Sequence, residues 1–248
     1  MRLHPSEVSN ASRRIAAEAW TFRWRVELEA EKRFARMARR LAATGALPVV
    51  VDLAARASKD ERRHAAHCAD LARAFGADVP AEEIEAPEIS PPGLDERKSV
   101  LYEVVAACCI TETESTSVLT TLLHSVRAGR MRRILRELLR DEVNHSRLGW
   151  AHLAHERERS EGDVLFLDRM IPGMLEGSVP PGLFEAAPPD LESPELLACG
   201  VLPHSTKRSV FTLTLLEVVF PGLERLGVHT GPAREWLSHK VGSKEERL

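Results

Sequence analysis

Two five-residue stretches of this chain read Asp-Glu-x-x-His: Asp60-Glu61-Arg62-Arg63-His64 and Asp141-Glu142-Val143-Asn144-His145. A Glu and a His three residues apart on an α-helix share one face. Each pair therefore offers a carboxylate and an imidazole to the same metal ion. One such pair is ordinary on a solvated helix. Two, each with the same preceding Asp and each deep in a long amphipathic segment, form a much sharper signal.

The segments that must position them emerge from hydrophobic periodicity. A first helix is predicted from about Ser9 to Thr44, with Trp20, Glu27, Phe34 and Leu41 recurring every seven residues. Glu27 thus interrupts an apolar stripe. Glu31 lies on the same stripe, whereas Glu29 falls with Arg25, Lys32 and Arg36 on the wet face. Gly45 ends this helix and Pro48 suits the first turn of the next. The second helix, Pro48 to Phe75, buries Val50, Ala54, Ala57, Glu61, His64, Cys68, Leu71 and Phe75 on one face. Residues 77–94 carry five Pro and Gly residues and read as a crossover. A third helix is predicted over Asp95 to Arg127, with Leu101, Val105, Cys108, Glu112, Ser115, Leu119 and Leu122 on one side. Ala128-Gly129 allow a break. The fourth helix, Arg130 to Glu158, places Leu135, Leu138, Glu142, His145 and Gly149 together.

The glutamates can be levelled against the turns. Glu27 stands 17 residues before Thr44 and Glu61 15 after Ala46. At ~1.5 Å per residue, antiparallel helices bring these two to within about 3 Å of the same height. Glu112 and Glu142 behave alike about Arg127 and Gly129. Each hairpin then presents two glutamates and one histidine inward: Glu27, Glu61 and His64 from one, Glu112, Glu142 and His145 from the other. Four carboxylates buried together repel and are costly to desolvate. Two divalent cations neutralise them, and mixed carboxylate and imidazole donors fit iron or manganese. The expected cofactor is two Fe ions, with Mn/Fe or Mn/Mn pairs sharing the same preferences. A metal-bound His usually donates its other N–H to an acceptor. Asp60 is expected to serve His145 and Asp141 to serve His64, each across to the opposite hairpin.

Bulk properties set the frame. The chain's 248 residues suffice for one large domain or two small ones. With 44% hydrophobic and 29% charged residues it reads as globular. A net charge of −3 gives no general reason to expect nucleic acid or an anionic membrane as partner. Cys68, Cys108, Cys109 and Cys199 show no Cys-x-x-Cys spacing, which argues for reduced thiols and against a thiolate metal site. The first twenty residues lack the apolar stretch of a signal peptide, and no run reaches the length of a membrane span. A cytoplasmic location is expected.

Two helix hairpins joined by one long crossover resemble a ferritin-like four-helix bundle. The resemblance extends to particular residues: Glu27 with Phe34-Ala35-Arg36-Met37, Asp60-Glu61-x-x-His64, Cys109-Ile110-Thr111-Glu112-Thr113, and Asp141-Glu142-x-x-His145-x-x-x-x-Trp150. As a set, covering roughly residues 15–155, they resemble the ferritin-like superfamily of non-haem di-iron proteins. That group includes rubrerythrins, ferritins, bacterial multicomponent monooxygenases and arylamine N-oxygenases, and the match in feel is to bacterial ferritin-like proteins of unassigned activity. The resemblance implies that Glu61 and Glu142 bridge two metals while Glu27 and Glu112 are terminal ligands.

Residues 1–158 are therefore expected to form the bundle. Residues 159–248 are expected to pack on it as extra helices, over Asp163–Leu175, Ser205–Leu226 with a kink at Pro221, and Pro232–Lys240. The expected function is a di-iron oxidase or oxygenase that uses dioxygen or peroxide on a small organic substrate. The C-terminal third would then shape or cover the substrate pocket. Three other readings stay open: a ferroxidase or iron-handling protein, a rubrerythrin-like peroxidase needing an external electron donor, and a helical scaffold without catalysis. A homodimer through helix faces fits any of them. His67, His124, His152, His155, Tyr102, Trp20 and Trp24 are read as structural or exposed. The arginine-rich run Arg127–Arg140 is read as the solvated face of the fourth helix.

Overall fold

The computed structural model describes residues 8–81, 84–126 and 129–242, except for the Glu161 side chain. Arg127 and Ala128, where a helix end and a break were expected, lie outside those residues. All regular structure among the described residues is helical. None of these helices is long and apolar enough to cross a membrane.

Four long helical segments carry the predicted stripes. Helix α1 spans Asn10–Ala43 and α2 spans Pro48–Ala74. Ser9 caps α1 by accepting a hydrogen bond from the Ser12 amide at 3.2 Å. Gly45, at φ +76°, turns the chain, and the Ala46 amide returns to the Leu41 carbonyl at 3.0 Å. Only glycine adopts that backbone without strain, and Pro48 then opens α2 where no amide donor is needed. The third segment is continuous in direction but not in register. Helix α3, Glu96–Val104, passes into a seven-residue π segment, Val105–Thr111, and then into α4, Glu112–Ser125. The fourth is α5, Arg130–Arg159.

The π segment corrects the expectation of one uninterrupted α-helix from Asp95 to Arg127. Nothing local in Val105-Ala106-Ala107-Cys108-Cys109-Ile110-Thr111 breaks a helix. The tertiary environment supplies two visible supports. Thr111 donates its hydroxyl to the Ala106 carbonyl, five residues back, at 3.1 Å. Gly149 of α5 lies against the widened turn so closely that a Cβ there would stand 2.6 Å from Cys108 Cβ and 2.9 Å from the Cys109 amide nitrogen.

α1 packs along α2, α4 along α5, and α2 closes the bundle against α5. On the remaining edge α1 approaches the third segment mainly at α3 and scarcely at α4. A buried carboxylate ties the close end of that edge. Glu103 of α3 takes Arg36 at 3.0 Å and Arg40 at 2.9 Å, both from α1. Arg36 also donates to the carbonyls of Ala86 and Pro87, which fastens the crossover onto α1. Around the bundle axis two apolar layers form. One gathers Phe34, Met37, Leu41, Val50, Val104 and Leu148. The other gathers Trp20, Trp24, Cys68, Leu119, Leu135 and Leu138. The charged stripe residues lie between them.

The C-terminal third adds α6 (Leu167–Ser178), a one-turn α7 (Glu195–Ala198), α8 (His204–Thr214), α9 (Phe220–Arg225) and α10 (Gly231–Gly242). Residues Leu215–Val219 between α8 and α9 form a second π segment, so the helix widens just ahead of Pro221. Pro221 has no amide proton to donate, and it occupies the first turn of α9 where that loss is cheapest. These helices share one core with the bundle: Ile171, Leu175, Phe211, Leu215, Phe220 and Leu237 pack with Leu101, Val105, Cys109, Ile110 and Leu153.

The close approach at Gly149 gives a test. Gly149→Ala should destabilise the chain by about 1–3 kcal/mol through overpacking. Gly177→Ala, on an exposed helical position whose Cβ would meet nothing within 4 Å, should stabilise it by up to about 1 kcal/mol. Urea unfolding midpoints of both variants check the pair; a neutral Gly149→Ala would mean the α5–π contact is not tight.

Candidate metal centre

The six candidate ligands converge between the two apolar layers. Glu27 comes from α1, Glu61 and His64 from α2, Glu112 from the first residue of α4, and Glu142 and His145 from α5. All are buried. Two groups emerge within which the donor atoms lie within 4.8 Å of one another: Glu27, Glu61, His64 and Glu142, and Glu61, Glu112, Glu142 and His145. Glu61 and Glu142 belong to both. The centre is thus two adjacent four-donor pockets with two carboxylates in common.

Both imidazoles turn Nδ1 inward. His64 Nδ1 lies 3.1 Å from Glu61, and 3.9 Å from each of Glu27 and Glu142. His145 Nδ1 lies 3.0 Å from Glu61 and 3.3 Å from Glu142. The outward nitrogens meet the expected aspartates. His64 Nε2 is 3.3 Å from Asp141, and His145 Nε2 is 3.5 Å from Asp60. Asp141 thus hydrogen-bonds the histidine of the other hairpin, and Asp60 stands next to His145 without an aligned hydrogen bond.

The electrostatics are those of a centre short of positive charge. Burial pushes the Glu27 and Glu112 carboxyls well above the ordinary carboxylate range, and the charges of Glu61 and Glu142 push the same way. Burial acts likewise on Glu61 and Glu142, but the nearby imidazoles, and for Glu142 also the Glu112 carboxyl, outweigh it and hold both below that range. Burial opposes charge on His64, yet the surrounding glutamates raise it to about 9. His145 is raised too, by Asp60, Glu142 and Glu61 against its burial. The carboxylates are thus compensated by protons on the other members.

Whether a cation suits the centre better than protons can be read from orphaned atoms. Glu142 Oε2 and the inward His145 Nδ1, 3.3 Å apart, are buried without a hydrogen bond of acceptable geometry. Buried polar atoms that crowd one point yet fail to align with each other fit a shared cation. The donor set fits as well: carboxylates and imidazoles, with no thiol among them.

Several side chains around the centre were not singled out from the sequence. Arg63, within the first motif, binds both outer aspartates, at 2.9 Å to Asp60 and 2.6 Å to Asp141, and also reaches Glu137 at 2.7 Å. Arg140 holds Asp141 from the other side at 2.9 Å. Arginines beside each Asp were the available signal. Arg23 lies 3.6 Å from Glu27 and donates to Ser115 Oγ at 3.3 Å, and Ser115 in turn donates to Glu142 at 3.3 Å. Cys68 Sγ lies 3.9 Å from Glu27. Glu31, the other acidic residue on the α1 stripe, is occupied by Arg62. His152 is buried, which lowers its imidazole to about 4 and keeps it neutral at ordinary pH. All four cysteines are buried and unpaired.

No protein-family model matches this chain, and neither the curated proteins nor the solved structures searched contain a match. The centre is therefore read from its own geometry.

The paired aspartates can be tested directly. Asp60→Ala and Asp141→Ala should each weaken metal binding about 10- to 100-fold while the chain stays helical; unchanged affinity by competitive titration would remove their orienting role. The protonation pattern sets a pH dependence. A raised histidine contributes stability that is full below about 6.5 and is lost as pH climbs through the folded-state value, here about 9 for His64. Glu27 and Glu112, raised as well, act in the same direction. The metal-free chain should therefore become less stable between pH 6.5 and 9. Metal binding should release protons over that window and tighten with pH. Calorimetry in buffers of different ionisation enthalpy would reveal the protons; no release would contradict the assignment.

Proposed function

We propose that this chain is a non-haem di-iron oxidase or oxygenase built on a ferritin-like bundle and acting on a small organic molecule. One observation carries the reading: two buried four-donor pockets that share Glu61 and Glu142. Two adjacent pockets with common carboxylates suit a bridged pair of cations, and four glutamates match four positive charges. In this reading Glu61 and Glu142 would be held in common by the two cations, with Glu27 and His64 on one side and Glu112 and His145 on the other. When bound, an iron pair supplies the electrons and the Lewis acidity for activating dioxygen or peroxide.

The chain's own residues do the rest. Asp141 and Asp60 fix the ring orientation of His64 and His145 and raise their donor strength. Arg63 holds both aspartates in register across the hairpins. Phe34, whose ring centroid lies 5.2 Å from that of His145, helps to exclude water from one wall. Glu27 and Glu112, whose carboxyls burial raises, would give up their protons to solvent if cations were bound. Their side of the centre is also the more accessible one, since they keep 5% and 7% exposure against 2% or less for the other four.

Oxidation of an organic substrate is favoured over iron storage by the C-terminal third. Its helices share a core with the third and fourth segments, which commits one flank of the bundle to internal packing. An external electron donor would complete the cycle.

The test is reconstitution. Anaerobic loading with Fe(II) should give about two irons per chain, as this ligand set holds elsewhere, and far fewer in a Glu61→Ala/Glu142→Ala variant that remains helical. Stoichiometric iron followed by substrate-dependent oxygen uptake supports the oxidase. A folded wild type that takes no iron refutes it.

A further inference from the structure

The two pockets of the centre match in donor type, yet their atoms are not equally engaged. On the Glu27 side the polar atoms already have partners. Glu27 turns Oε2 toward His64 Nδ1, at 3.9 Å. Its Oε1 goes to Arg23, whose Nε lies 3.6 Å away, and to the Cys68 thiol at 3.9 Å. Glu142 Oε1, 3.9 Å from the same His64 nitrogen, accepts a hydrogen bond from Ser115 at 3.3 Å. Ser115 in turn accepts one from Arg23 at 3.3 Å. His64 Nδ1 pairs with Glu61 at 3.1 Å. On the Glu112 side, Glu142 Oε2 and His145 Nδ1 are buried without an aligned partner. Among the described residues, Glu112 forms no ion pair with an arginine or lysine within 4.0 Å.

One guanidinium therefore reaches two of the four donors on the Glu27 side, Glu27 directly and Glu142 through Ser115. It is held there. The Arg23 side chain is only 21% exposed, and its guanidinium carbon lies 5.7 Å from the centre of the Trp20 ring. A charge kept largely out of water acts at short range with little screening. Two effects then run the same way. Arg23 repels a cation on the Glu27 side, and that cation must compete for carboxylate oxygens that other donors already engage. On the Glu112 side a cation would instead satisfy buried atoms that have no aligned partner, which relieves a desolvation cost the metal-free chain carries.

We infer that the two pockets fill in a fixed order: the first cation takes Glu61, Glu112, Glu142 and His145, and the second takes the Glu27–His64 side with an affinity that Arg23 holds down. This rests on the two-cation reading of the centre. It adds a residue that donates nothing to the metals and yet makes their affinities unequal. Arg23 is a positioning residue, acting through Glu27 and Ser115. A chain short of metal then carries one cation, on the Glu112 side, and the Glu27 side is the exchangeable half.

The test is a Co(II) titration of the full-length, metal-free chain, read by visible absorption and by metal retained after dialysis, with helicity checked by circular dichroism. The wild type should bind in two steps separated by about tenfold or more. Two cations repel each other, so a weaker second step alone does not identify the pocket; variants of the unshared histidines do. His64→Ala should keep the tight step and lose the weak one, and His145→Ala should lose the tight step. Arg23→Gln should strengthen the weak step by about tenfold, whereas Arg23→Lys should leave it weak. A merely structural role for Arg23 predicts the opposite sign, with both steps weakened in Arg23→Gln. The inference is overturned if the two steps are equal, if His145→Ala keeps the tight step, or if Arg23→Gln fails to strengthen the second. A folded wild type that binds no Co(II) refutes the two-cation centre and the order with it; two equal steps refute the order and leave the centre standing.

Discussion

Four glutamates in one dry layer are the constraint on which the rest of this structure depends. Left as carboxylates, they would drive the helices apart, since buried like charges at these distances are among the least favourable arrangements a fold can carry. The metal-free chain answers with protons, retained on Glu27 and Glu112 and gained on His64 and His145. That answer is incomplete, because atoms of Glu142 and His145 remain without aligned partners. A site that is only partly satisfied by its own protons is poised for cations. The surrounding fold has to keep it from relaxing by rotation or sliding of the helices.

Three features do so, and each sits at a different height. Glu103, locked between Arg36 and Arg40, fixes α1 against α3 beyond the centre. Arg63 spans from its own helix to Asp141 and Glu137 on α5, at the level of the histidines. Gly149 lets α5 approach the π segment so closely that neither can slide without collision. The π segment ends where Glu112 begins. One extra residue in the turn rotates the whole of α4 relative to a regular helix, and Glu112 is the first side chain whose direction depends on it. The C-terminal helices brace the same turn from outside, through Val105, Cys109 and Ile110.

Much of this was legible in the sequence, for a definite reason. The α1 and α2 stripes can be read residue by residue, and Trp20, Glu27, Phe34, Leu41, Glu61, His64 and Cys68 are all buried. A 3.6-residue period survives any tertiary detail, and a tight turn fixes the relative height of two helices, so the meeting of the glutamates can be worked out from positions alone. The π segments cannot. They depend on how closely α5 and the C-terminal helices approach, and Val105–Thr111 carries no breaker that would announce them. Arg63 and Arg140 are hidden by the same logic: an arginine next to an aspartate on a helix looks like surface, and only the packing of α2 on α5 brings one guanidinium to two aspartates. Non-local side-chain meetings leave no periodic trace.

The two halves of the centre are related by an approximate exchange of hairpins, Glu27, Glu61 and His64 for Glu112, Glu142 and His145. Their immediate surroundings break that symmetry. Glu27 has a guanidinium at 3.6 Å and a thiol at 3.9 Å. For Glu112 the neighbouring charge that favours ionisation is His145, itself a member of the centre. Two positions built from the same donor types therefore differ in local potential, and a cation bound next to Glu27 would feel a fixed positive charge that one next to Glu112 would not. Arg23 sits on the side that is also the wider edge of the bundle. The polarity of the centre is thus set by one guanidinium outside the donor set, which the exchange of hairpins does not reproduce.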